Sequence, residues 1–157
     1  MRRNLILIAV LVVVGFGIVL FALGSATTRM TEKSSTTVAK IGNADVTLEY
    51  ALTSAERAQG LSGRANLPQQ TGLLFIFPYA DQYNFWMKDM HFPIDIIWID
   101  ADRRVVGIEQ NVEPDSYPQT FSPGVAVPYV LEVNAGFAQT YGVRVGDSLI
   151  LEGGWPQ

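Results

Sequence analysis

Residues Leu5 to Leu23 read LILIAVLVVVGFGIVLFAL, a run of 19 positions without a charge. At about 1.5 Å of rise per helical residue, the run nearly spans the roughly 30 Å hydrocarbon core of a bilayer. As a helix it would be apolar on every side, and a chain of 157 residues has no interior large enough to enclose it. Arg2 and Arg3 precede it, and basic residues stay on the cytoplasmic side. The pattern predicts an anchor over residues 1–24 that crosses the plasma membrane once. The N-terminus is then cytoplasmic and the C-terminal domain outside, periplasmic or extracellular. Arg29 and Lys33, past the outer end, weigh against that orientation. The alternative is a cleaved signal peptide, since Ala22-Leu23-Gly24 and Gly24-Ser25-Ala26 offer small residues to a peptidase; the domain would then be secreted. A signal peptide's apolar region usually runs about 7–15 residues, so the length favours retention.

Residues 25–37 (SATTRMTEKSSTT) are polar and aperiodic, as in a flexible linker. From Val38 onward there are seven basic and fourteen acidic residues. Such a domain has no electrostatic footprint for nucleic acid or for anionic lipid heads. The chain has no cysteine, which removes disulfides, thiolate metal sites and a Cys nucleophile. Its single histidine leaves little for a His-based metal site or a catalytic triad.

Over residues 38–157 the hydrophobic period is mostly two. Val46, Leu48, Tyr50 and Leu52 alternate with Thr47, Glu49 and Ala51, as in a half-buried strand. Thr53-x-x-Glu56 has capping-box spacing for a short helix that Gly60 would stop. Gly72–Phe77 and Ile94–Ile99 read as strands, and Asn84–Met87 as a shorter one. Arg104–Val112 follows a turn at Asp100–Asp102, and Glu113–Gly124 reads as a long loop. Ala126–Val133 is strand-like, with Pro128 pointing to an edge or a bulge. Asn134 is placed to cap a second short helix closed by Gly142. Val143–Glu152 reads as a hairpin bent at Gly146-Asp147. Six to eight short strands and two short helices predict a mainly β domain, either a β-sandwich or an open β-barrel. No strand–helix–strand alternation long enough for a doubly wound parallel sheet is visible.

The stretch Asn84–Asp95, NFWMKDMHFPID, embeds Lys88, Asp89, His91 and Asp95 among aromatic and thioether side chains. Polar groups in such surroundings are candidates for function. One reading is a pocket lined by Trp86 and closed by Arg57, Arg64, Lys88, Asp89 and Asp95. Its aromatic faces would take an apolar or sugar-like face, and its cations a carboxylate or phosphate. The plainer reading is a turn between core strands, with Lys88–Asp89 in solvent and Trp86 in the core. Asp89 and Asp95 invite a glycosidase reading, and Asp89, His91 and Asp95 a metal reading that Pro93 interrupts. No nucleophile elbow, P-loop, dinucleotide fingerprint or EF-hand spacing is present.

Taken together, Glu56–Arg64 (ERAQGLSGR), Gly72–Phe77, Phe85–Met90 (FWMKDM), Pro93–Ile96, Tyr129–Glu132 and Gly142-x-x-x-Gly146-Asp147 resemble the family called domain of unknown function 192. The resemblance runs from about Val38 to Glu152. It implies a compact β-rich domain with short helices, often exported or anchored by one N-terminal apolar segment, and brings no reaction, substrate or cofactor. Its signature positions fall on Arg57, Gly60, Leu61, Arg64, Phe85, Trp86, Met87, Lys88, Pro93, Asp95, Glu132, Gly146 and Asp147. His91 stands where many members look to have a small polar residue. Within that signature Asp95 and Glu132, on strands, are read as ion-pair partners of Arg57, Arg64 or Lys88.

The functional expectation is a membrane-tethered binding or accessory domain. Its ligand-binding candidates are Arg57, Arg64, Trp86, Lys88, Asp89, Asp95 and Glu132. It has no cofactor, no metal and no assigned catalytic residue. Its expected partners are the bilayer through residues 5–23 and either a small ligand or an integral membrane protein. The rival expectations are an extracytoplasmic hydrolase or carbohydrate-active enzyme using Asp89 and Asp95, and a structural subunit of a membrane complex.

Overall fold

The computed structural model describes residues 37–156; the expected membrane anchor over residues 1–24 and nearly all of the expected linker lie outside the described residues. Among the described residues no helix is long and apolar enough to cross a membrane. The strands are β1 (Thr37–Ile41), β2 (Ala44–Ala51), β3 (Thr71–Asp81), β4 (Ile94–Ile99), β5 (Val105–Val112), β6 (Val127–Asn134) and β7 (Ile150–Leu151). Two short helices, α1 (Ser54–Gln59) and α2 (Phe137–Tyr141), lie between β2 and β3 and between β6 and β7. The domain is mainly β, as the period-two pattern predicts. All seven strands form one sheet in the order β5-β4-β6-β3-β2-β1-β7, so the two packed sheets of a sandwich are not what forms.

The sheet curls. Its two outermost strands are β5 and β7, yet the chain just before β7 reaches the start of β5. Val105 N donates to Asp147 O (2.8 Å), Gly146 N to Val105 O (2.8 Å) and Leu149 N to Arg103 O (2.9 Å). Inside the curl sits one hydrophobic cluster, with Ile41, Leu48, Leu74, Ile97, Leu131, Val133 and Leu149 among its members. A second cluster covers the outer face: Leu73, Phe75, Ile96, Trp98 and Val130 lie under Leu61, Phe85, Met87 and Met90 from the connecting loops. The central strands are therefore apolar on both faces, and every residue of β4 is buried. The continuous run IDIIWI records this in the sequence.

Gly72 shows how tightly β3 and β6 pack. A Cβ there would stand 2.7 Å from Leu131 Cδ1, 3.0 Å from Val133 Cγ1 and 3.1 Å from Glu132 O. Gly72→Ala is expected to cost about 1–3 kcal/mol through overpacking, read as a lower urea midpoint with an unchanged slope.

Of the edge or bulge that Pro128 pointed to, it is the irregular register that forms, for β6 is an interior strand between β4 and β3. Pro128 is tolerated because the β3–β6 register breaks between the Ile76–Tyr129 and Asp81–Val127 pairs, so its missing N–H is not needed there. The C-terminal hairpin does not form. Asp147 instead closes a tight turn, accepting from Arg144 N at Oδ2 (2.8 Å), and β7 pairs with β1. Asn84–Met87 contributes only an isolated pairing of Phe85 with Phe121. In addition, β2 and β3 pair in parallel, from Thr47–Thr71 to Ala51–Phe75, so the segment carrying α1 is a crossover.

Candidate functional site

α1 begins as its sequence predicts. Thr53 Oγ1 accepts from Glu56 N (3.2 Å), and Glu56 Oε2 accepts from Thr53 N (2.7 Å) and Leu52 N (2.9 Å). These bonds, led by that from the Thr53 backbone, hold the Glu56 carboxyl below the usual range. The cap fixes the next residue, Arg57. Its Nη1 donates to Ile76 O (2.9 Å) and Leu52 O, and its guanidinium lies 5.2 Å from the centre of the Phe77 ring. The chain then turns at Gly60, where φ is +51°. Ser62 Oγ donates to Lys88 O (2.8 Å) and Gly63 N to Asp89 O (2.8 Å), tying this turn to the aromatic loop.

Between the turn, the loop and the outer face of the sheet is a cavity of about 140 Å³. Glu132 of β6 lines it, together with Arg57, Gln59, Gly60, Tyr83 and Asn84. The apolar wall is Phe75, Phe77, Phe85, Trp86 and Met90. The rings pack on one another. Phe75 meets Phe85 edge-on at 5.0 Å between centres, and Phe77 stacks on Tyr83 at 3.5 Å. The Tyr83 hydroxyl donates to Tyr79 O (2.8 Å) and is raised above its ordinary pKa, mainly by burial and then by the Asp81 charge.

Glu132 is only 5% exposed, and its Oε2 has no hydrogen-bond partner. A buried carboxylate without a partner is costly, so burial pushes its pKa up to about 8, against a smaller opposing pull from Arg64. Arg64 itself bonds Glu49, Nη1 to Oε2, at 2.7 Å. A Cβ at Gly60 would stand 3.9 Å from Glu132 Oε2 and 3.3 Å from Phe75 Cζ. The glycine thus keeps open the space beside the carboxyl.

Of the seven residues singled out in the sequence, Arg57, Trp86 and Glu132 line the cavity. Trp86 is 52% exposed, so it belongs to the rim and not the core. Arg64 borders a neighbouring depression with Tyr50 and Leu73. Lys88 and Asp89 are exposed on the loop, and Asp89 has φ of +57°.

Asp95 is elsewhere. It is fully buried and points to the inner face of the sheet. Oδ1 accepts from Asn111 N (2.8 Å) and Gly136 N (3.1 Å), and Oδ2 from Ala138 N (2.9 Å). It caps α2, the role expected of Asn134, whose amide instead donates to Leu67 O (3.0 Å) and Pro68 O (3.2 Å). The expected ion-pair network is therefore corrected: Asp95 is satisfied by backbone N–H groups, and Glu132 forms no salt bridge among the described residues. The sequence reading missed Phe75, Phe77 and Tyr83. The period of β3 held the signal for two of them, since Leu73, Phe75 and Phe77 alternate onto the face that carries the aromatic loop.

The family profile described as DUF192, uncharacterized ACR, matches residues 36–151. The chain belongs to this family. Among solved structures, it is similar to a protein from Sinorhizobium meliloti 1021 described as a candidate transcription regulator. That match has 30% identity and a TM-score of 0.70, covering 75% of this chain and 95% of the other. A protein of unknown function from Novosphingobium aromaticivorans DSM 12444 is similar at 32% identity and a TM-score of 0.66, covering 73% and 82%. No curated protein matches. Both ends of the candidate cavity, the α1 turn and the Phe85–Met90 loop, fall within the DUF192 match.

Proposed function

We propose that this DUF192 domain is a small-ligand-binding module held at the outer face of the plasma membrane by residues 5–23. One observation carries the binding reading: Glu132, whose buried carboxyl oxygen has no partner, lines a cavity walled by aromatic rings. Buried polar groups are normally paired, and an orphan on a residue that lines a cavity is the kind of atom a ligand satisfies. The hydrolase reading loses its geometry. Asp95 faces the inner cluster with both oxygens taken by N–H groups, so it shares no cleft with the exposed Asp89. The description of the Sinorhizobium protein as a regulator is not carried over, because seven basic residues against fourteen acidic ones give no purchase on duplex phosphates.

The binding reading is tested by screening polar fragments against the protein by NMR. Hits are expected to move the Gly60 amide and the Trp86 indole together, and a screen that moves neither ends the reading. The tether rests on the charge-free run and its flanking Arg2 and Arg3. It predicts that the full chain stays with membranes through alkaline carbonate washing, while the domain is shaved by protease added outside. Release by the wash, or protection of the domain in spheroplasts with a sealed inner membrane, refutes it.

A further inference from the structure

We infer that the Glu132 cavity receives a small organic ammonium group on a short apolar stem. This rests on the reading of the cavity as a ligand site and goes further by fixing the sign of the ligand's charge. The cations that the sequence suggested for gripping an anion are already engaged or lie away from the cavity, and Arg57, which lines it, is tied to the β3 side. Arg57 spends Nη1 on two backbone carbonyls and lies over Phe77. Arg64 is held by Glu49, and Lys88 does not line the space. What remains unpartnered is the Glu132 carboxyl oxygen.

The walls agree with that sign. Aromatic rings attract a desolvated cation through their quadrupoles, and the guanidinium of Arg57 already uses Phe77 this way. Phe75 and Phe85, with Trp86 at the rim, line the cavity together with Glu132. The size agrees as well. The cavity measures about 140 Å³, and one of about 150 Å³ holds a benzene-sized group. A four-carbon amine fits that allowance.

The proton balance follows. Burial keeps the empty site's carboxyl protonated near neutrality. When the ammonium enters, that proton leaves to solvent and an ammonium–carboxylate pair forms. The other charged or titratable groups at the site are Arg57 and Tyr83, which line it, and Arg64, whose charge reaches Glu132 from beyond Gly60. A neutral ligand would hydrogen-bond to the carboxyl and release no proton.

The test titrates the full chain, in non-ionic detergent, with n-butylammonium and with 1-butanol, following the Gly60 amide and the Trp86 indole by NMR. At pH 7.5 n-butylammonium is expected to bind at least about tenfold more tightly than 1-butanol, and more tightly than at pH 6.5. Glu132→Gln should erase that preference. Trp86→Leu, at a rim position that tolerates change, should weaken n-butylammonium several-fold and 1-butanol less. If 1-butanol binds as well as the amine, the cation assignment falls and the ligand-site reading stands. If Glu132→Gln keeps the preference, the assignment also falls. If neither probe moves the two signals in folded protein, both readings fall.

Discussion

Glu132→Gln is expected to leave the domain's stability near that of the parent at pH 5 and to raise it above the parent's by roughly 3–5 kcal/mol at pH 9. The sign comes from linkage. The Glu132 carboxyl has an ordinary pKa of 4.5 in the unfolded chain and about 8 in the fold. Between those values the native state binds more protons than the unfolded state, so stability falls as pH rises. Each pH unit costs about 1.4 kcal/mol, and the loss levels off above the folded pKa. Gln cannot ionise and escapes the penalty. The difference between the two proteins isolates this group from every other carboxyl. Urea midpoints at pH 5, 7 and 9 decide it, and parallel pH profiles for the two proteins would refute the buried, unpartnered state of Glu132.

Asp95→Ala is expected to have the opposite character: a loss of about 3–5 kcal/mol at neutral pH. It strands three N–H donors, those of Asn111, Gly136 and Ala138, where water does not reach the carboxylate they serve. That is a large part of the roughly 5–15 kcal/mol by which domains are stable. Asp95→Asn should cost less, about 2 kcal/mol. Its oxygen can still accept from Asn111 and Gly136, while its amide sets a donor against the donor of Ala138. Denaturant unfolding gives both values. Hydrogen exchange adds a local readout, because the Gly136 and Ala138 amides should lose protection first. An Asp95→Ala protein within about 1 kcal/mol of the parent would overturn the capping role.

These two acids also mark what a sequence can and cannot reveal. Both stand in apolar strands, and both look like charges in need of cations. Their difference is one of register. Asp95 pairs with Val133, and Glu132 with Ile96, so adjacent positions on neighbouring strands send the two carboxyls to opposite faces of one sheet. Strand pairing is a long-range property, and no local pattern encodes it. Local signals did better. The Thr53–Glu56 capping box, the alternation of β2 through Leu48 and the buried runs of β3 and β4 form where their patterns place them, whereas Ala51 is buried and Leu52 exposed against the pattern and β3 continues past Pro78 to Asp81. The parallel β2–β3 pair stayed hidden because α1 is too short to advertise a crossover. The cavity was half legible. The aromatic loop declared itself by composition, whereas its meeting with the Gly60 turn depends on two hydrogen bonds, from Ser62 Oγ and Gly63 N, each across a gap of 26 positions.

The seam that draws the sheet into a curl has a bearing on biosynthesis. Arg104 Nη1 reaches Gly146 O across 42 positions, and the neighbouring backbone bonds span a similar interval. A nascent polypeptide halted soon after β6 has every central strand but nothing to fasten to the start of β5. Closure waits until residues 146–149 have been released, and until then the half-made product carries an open flank that a neighbouring molecule can seize.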